Sequence, residues 1–204
     1  MRFRILLIFL TGFYFAEASI ADNDTVRIRS GLISGTTQNG IHIYKGIPFA
    51  APPVGTNRWR EPQPVQPWQG VRACEKFAAS PMQGPPAPFG VYTSEFLIPP
   101  APISEDCLYL NVWTSQSPSS VKKPVLVWIY GGGFVSGGSG CAIYDGAAMA
   151  AKGIVFVSIN YRVGVFGFFA HPDLTKESSQ HASGNYGLLD QIAALGWQIC
   201  GFGG

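Results

Sequence analysis

Two stretches of the chain are apolar without interruption. Val125-Leu126-Val127-Trp128-Ile129 is one, and Ile154-Val155-Phe156-Val157, continuing to Tyr161, is the other. An apolar run without polar alternation predicts a strand buried on both faces, as inside a parallel sheet. Between them, Tyr144 to Gly153 reads as a short helix closed by glycine. Strand, helix and strand this close predict a parallel βαβ unit. The N-terminal side has another rhythm. Thr25 to Ser30 alternates apolar and polar, and Leu32-Ile33 and Ile41 to Tyr44 follow across Gly31, Gly35 and the turn pair Asn39-Gly40. This predicts an antiparallel meander of short strands. Asp106 to Trp113 resumes strand character, and the polar stretch from Thr114 to Lys123 reads as a turn. Leu188, Leu189, Ile192, Ala193, Leu195 and Ile199 recur at helical spacing from about Tyr186. From Pro48 to Pro102 there is no period, and repeated prolines break regular structure. A loop that long suits a pocket rim. Its aromatics, Trp59, Trp68, Phe89, Tyr92 and Phe96, either line a hydrophobic site or anchor the loop to the core. Val163 to Phe169, rich in glycine and phenylalanine, reads as a loop.

Composition narrows the class. The 204 residues hold one ordinary domain, and 47% hydrophobic against 13% charged residues describe a packed globular chain. A net charge of +2 with no basic stripe argues against nucleic acid as a partner. Arg2, Arg4, the apolar core Ile5 to Phe15 and the small-x-small step Ala16-Glu17-Ala18 have the form of an export signal, residues 1–18, cut after Ala18. Residues 19–204 are then the mature chain, secreted or periplasmic, without stable membrane insertion. In such an oxidising compartment the cysteines, Cys74, Cys107, Cys141 and Cys200, can pair. A Cys74–Cys107 bridge is the expectation, with free buried thiols as the alternative. No C-x-x-C and no Cys/His cluster suggests a metal.

The candidate chemistry sits after the first apolar run. Gly131-Gly132-Gly133 frees the backbone from Cβ sterics, so the turn can aim N–H groups into open space. Acyl-transfer enzymes stabilise a developing oxyanion in that way. A merely flexible turn is the alternative. His42 alternates with Ile41 and Ile43 and reads as a surface strand residue. His171, His181, Ser136 and Ser139 read as loop residues.

Several segments together resemble the type-B carboxylesterases of the α/β-hydrolase fold. They are Tyr44 to Gly55 (YKGIPFAAPPVG), Ser104 to Val112 (SEDCLYLNV), Gly131 to Gly137, Asn160 to Gly164 (NYRVG) and Gly184 to Gln191 (GNYGLLDQ). The resemblance implies an α/β-hydrolase fold truncated before the nucleophile elbow, with the antiparallel meander leading into a mainly parallel sheet. It implies a small-molecule carboxylic ester as substrate, no cofactor, and an oxyanion hole built from the N–H groups of Gly132 and Gly133. It also implies two buried structural ion pairs, Arg58 with Glu105 and Arg162 with Asp190. The departure from the family is as plain. No G-x-S-x-G occurs in the 204 residues, and Gly137-Gly-Ser-Gly-Cys141 comes nearest without matching it. The nucleophile, acid and base of a serine esterase are therefore absent, and this chain alone is expected to be inactive. The family's Asn-Ile step before Phe-Gly-Gly is missing too, in Trp197 to Gly204. A fragment, a frame-disrupted gene and a non-catalytic binding relative all fit that ending. Without the nucleophile strand, Val125 to Tyr130 is expected to form an exposed apolar edge, so the chain should fold poorly by itself.

Overall fold

The computed structural model describes residues 25–88, 90–100, 102–115 and 122–197. The expected export signal and the irregular C-terminal ending lie outside them, as do Phe89 and Cys200.

The expected short antiparallel strands form, but as two hairpins in separate sheets and not as one meander. Strand β1 (Thr25–Ile28) pairs antiparallel with β2 (Gly31–Ser34), and β3 (Thr36–Gln38) pairs antiparallel with β4 (Ile41–Pro48). A short strand, β5 (Val71–Ala73), joins the first pair in parallel on β2. Among its described residues the proline-rich segment holds β5, the two-residue strand β6 (Ser80–Pro81), which pairs with β7 (Ile103–Ser104) just beyond it, and single 3-10 turns. Its two tryptophans are anchors: the indole N–H of Trp59 donates to Val165 O (3.0 Å) and that of Trp68 to Leu32 O (2.9 Å).

The main sheet runs β3-β4-β8-β10-β9, with β8 at Tyr109–Ser115, β9 at Val125–Ile129 and β10 at Val155–Ile159. The βαβ expectation holds, because β9 and β10 pair in parallel with helix α1 (Ala147–Ala150) between them. Over these residues the sheet is mixed, not mainly parallel: β4 and β8 bring antiparallel pairing up to β10. The strand order and directions agree with the N-terminal part of the α/β-hydrolase sheet that the resemblance implies. Every residue of β10 is buried, including Ser158, whose hydroxyl is satisfied by Asn111. Strand β9 has the same pattern but ends the sheet, and Val125, Trp128 and Ile129 remain 51%, 39% and 38% exposed. Among the described residues it is the open edge, not a strand buried on both faces.

Val163 to Phe169 corrects another expectation. Gly164–Phe168 is helical (α2), and His171, read as a loop residue, caps α3 (Pro172–Glu177): its Nδ1 accepts the Asp173 N–H at 3.2 Å. Helix α4 (Tyr186–Leu195) starts where the periodicity places it. Gly167 and Gly187 allow α2 and α4 to close over the Arg162 carbonyl, since a Cβ at either would lie 2.2 or 2.4 Å from that oxygen.

The expected Cys74–Cys107 bridge is not formed. Both thiols are free and buried in the same core cluster, with Ile33, Leu108 and Leu110. The Cys74 backbone is tied on both sides, its N–H to Ser34 O and its carbonyl to Lys45 N–H, each at 2.7 Å. The side chain is thereby set into the core as a small apolar group.

Candidate active site

Strand β9 ends in Tyr130, and the glycine turn begins at once. Its geometry is set by what glycine alone tolerates. Gly132 has φ +130°, and a Cβ there would lie 2.0 Å from Ser136 O. Gly133 has φ +60° and open space where a side chain would stand. The carbonyl of Gly132 points back into the turn and accepts the N–H of Val135 (3.1 Å) and of Ser136 (3.3 Å). The N–H groups of Gly132 and Gly133 are not used that way. Among the described residues neither donates to a protein acceptor, and Gly131 to Ser136 are all exposed. Two adjacent donors without partners, on a backbone that no Cβ shields, can bind an oxygen carrying negative charge.

The turn is held from three sides. Tyr130 and Tyr161 stack at 4.4 Å, and each hydroxyl donates to the other's backbone carbonyl, at 2.7 and 3.1 Å. Burial pushes the Tyr130 phenol well above its ordinary range. This pair clamps the ends of β9 and β10 together. On the return leg, Gln83 bonds both backbone groups of Gly137: it accepts the N–H at 2.8 Å and donates to the carbonyl at 2.7 Å. Asn160 then accepts the Ser139 N–H at 2.8 Å and donates to Ala79 O at 3.0 Å. Ser139, read as a loop residue, is buried; its hydroxyl and that of Ser158 each accept one 3.0 Å bond from Asn111. Gln83, Asn111 and Asn160 were not singled out from the sequence. Asn111 and Asn160 lie within the family-like segments SEDCLYLNV and NYRVG, whereas Gln83 carries no signal beyond its polarity at a half-buried position.

The two ion pairs differ. Arg162 and Asp190 are 3% and 0% exposed, joined by Nε–Oδ2 at 2.8 Å and Nη2–Oδ1 at 2.7 Å, and Oδ2 also accepts the Arg162 backbone N–H. Burial pushes the Asp190 carboxyl up, against these three bonds from Arg162, which pull it down. The pair fastens α4 to the segment after β10. Arg58 and Glu105 are also bidentate, with both contacts at 2.6 Å, but their side chains are 39% and 21% exposed. That pair is half-exposed, not buried. It joins the proline-rich segment to the loop before β8.

His42 lies on β4 opposite Thr37, as a surface strand residue should. His181 is exposed with φ +51°. The contacts of His171 and His181 run to α3 and its flanks, not to the glycine turn. Ser136 is exposed within the turn. A cavity of about 320 Å³ lies at α3 and α4, lined by Trp59, Arg60, Glu177, Tyr186 and Leu189, and includes no residue of the turn. Among the described residues no Asp, Glu, His and Cys group could hold a metal, and no helix is long and apolar enough to cross a membrane.

Comparison with known proteins gives concordant matches. The model of the carboxylesterase family matches residues 22–204. The fumonisin B1 esterase of Sphingopyxis macrogoltabida is 47% identical over 180 residues, 86% of this chain and 32% of that protein. The cocaine esterase of Oryctolagus cuniculus is 42% identical over 203 residues, 93% of this chain and 35% of that protein. A solved PNB esterase superposes with a TM-score of 0.76 at 38% identity, covering 88% of this chain and 36% of the other. The chain thus spans about a third of the length of the relatives it matches.

Proposed function

Because the chain belongs to the carboxylesterase family, we propose that it carries the oxyanion-stabilising part of an exported serine esterase. In the complete enzyme a serine attacks the ester carbonyl, the alcohol leaves, and water hydrolyses the acyl-enzyme. The N–H groups of Gly132 and Gly133 donate to the oxygen that becomes anionic in each tetrahedral intermediate. Loss of one such donor costs about 10²–10³-fold in rate. No cofactor takes part, and the Arg58–Glu105 and Arg162–Asp190 pairs are structural. The observation that carries this reading is the pair of unbonded N–H groups on the exposed, clamped turn. Export rests on the signal-like residues 1–18; the family match beginning at residue 22 agrees with a mature chain that starts shortly before it.

The 204 residues contain no nucleophile elbow, so these residues alone should not turn over p-nitrophenyl butyrate above background. Turnover that survives replacement of Ser136 and Ser139 would refute the assignment. The gene read past the Gly204 codon in all three frames should show G-x-S-x-G, then an acidic residue and a histidine. Their absence there would favour a non-catalytic binding relative or a gene remnant.

A further inference from the structure

The return leg of the glycine turn has no strand beside it, yet Gly137 is paired as if it had one. In an antiparallel ladder two facing residues exchange both N–H···O bonds. Gln83 reproduces this exchange with its side chain, which carries one carbonyl and one amide like a peptide group. Its Oε1 accepts the Gly137 N–H at 2.8 Å, and its Nε2 donates to Gly137 O at 2.7 Å and to Pro81 O at 2.9 Å. Gly137 itself is sterically boxed: with φ +120°, a Cβ would lie 2.4 Å from the Tyr130 ring and 2.7 Å from Gly131 O. Gly137 therefore sits directly against the first residue of the triple glycine. Its position fixes where Gly131 stands, and through Gly131 the direction of the two free N–H groups.

We infer that Gln83 is the positioning residue of the oxyanion turn, acting through Gly137 as a substitute strand partner. This rests on the oxyanion reading of Gly132 and Gly133. The inference requires both a donor and an acceptor at position 83. Alanine supplies neither. Ionised glutamate supplies only the acceptor, whereas protonated glutamate supplies an O–H donor as well. A side chain that merely fills space would show no such dependence on protonation.

Amide hydrogen exchange on the chain, with the exposed β9 edge charged by Val125→Lys in every sample to keep it monomeric, decides the point, each rate being divided by its intrinsic rate at the same pH. In Gln83→Ala, protection at Gly137 should fall roughly ten-fold, the worth of about one hydrogen bond. Protection in β8 (Tyr109–Ser115) should hold, as the folding control. In Gln83→Glu, protection at Gly137 should be close to that of the chain retaining Gln83 near pH 4 and fall by pH 8, because the ionised carboxylate then faces the Gly137 and Pro81 carbonyl oxygens with no donor between, is repelled by them and lets go of the Gly137 N–H. Unchanged protection in Gln83→Ala overturns the inference. If that variant loses β8 protection as well, Gln83→Glu decides instead, and the absence of any pH dependence there overturns it. In an active product of a longer reading frame, Gln83→Ala should lower kcat by about 10- to 100-fold at unchanged KM, the effect of misplaced donors. A change confined to KM would sink the link to the oxyanion. The exchange result stands whether or not such a product exists, so failure of the esterase reading and failure of this one are told apart.

Discussion

At Gly132 a methyl group has nowhere to go. The residue combines a backbone angle foreign to L side chains with a carbonyl oxygen where the Cβ would be. Gly133, one position on, is left-handed but open. The two glycines should therefore respond unequally. Gly132→Ala should cost about 3 kcal/mol of stability, the upper end for local backbone strain. Gly133→Ala should cost about 1 kcal/mol, the left-handed penalty alone. Urea denaturation of the two variants checks the order, and equal costs would mean that the turn relaxes freely. Both glycines were legible in the sequence, because three in a row after an apolar run leave few other uses. Gln83 was not. It lies in a proline-rich segment without period, and its partner Gly137 is 54 positions away. Nothing local in a chain records so distant a reach. Arg58, Glu105, Arg162 and Asp190 are legible only through the resemblance to the family. Their spacing, 47 residues in one pair and 28 in the other, carries no local signal either.

Strand β9 shows how far a pattern can and cannot be read. Five apolar residues announce a strand, and β9 is one. The pattern does not say whether a neighbour lies on each side. Here β10 pairs with one side and the other ends the sheet. Natural sheets protect such edges with lysine, proline or a bulge, and β9 has none of these. Val125→Lys, at a half-exposed position that faces no core cluster, should shift the chain from polydisperse to mainly monomeric. Light scattering at matched concentration reads this directly. A chain that is monodisperse without the substitution would remove the edge argument. Helix α2 is the opposite lesson. Gly164-Val-Phe-Gly-Phe168 has poor helix propensity and was read as a loop. Tertiary packing overrides that preference: Phe134 lies against Phe168 at 5.0 Å, and Gly164 N–H donates to Phe134 O at 2.7 Å. Gly167, which weakens the helix locally, is the residue that lets it approach the Arg162 carbonyl.

Among the described residues, three thiols from distant parts of the fold are kept out of water. Burial raises Cys74 and Cys141 from 9.0 to about 11, and Cys107 further in the same direction. The sign follows from linkage. Below pH 9 both states hold these protons; from there to about 11 the unfolded chain releases them and the fold does not. Stability should be complete below that window and fall as pH rises through it, which urea midpoints at pH 8 and pH 10.5 would show. Native thiols should also resist alkylation at pH 8, then react at Cys74, Cys107 and Cys141 in denaturant without reductant. Failure of Cys74 and Cys107 to react would restore the bridge that the sequence suggested. The same burial gives the Tyr130–Tyr161 clamp a second use. Phenols absorb light differently once ionised, and Tyr130 holds its proton far into alkali while the clamp is shut. At alkaline pH the junction that steadies the glycine turn is thus an ultraviolet gauge within the chain itself: parting β9 from β10 lets Tyr130 ionise and adds phenolate absorbance to that of the other tyrosines.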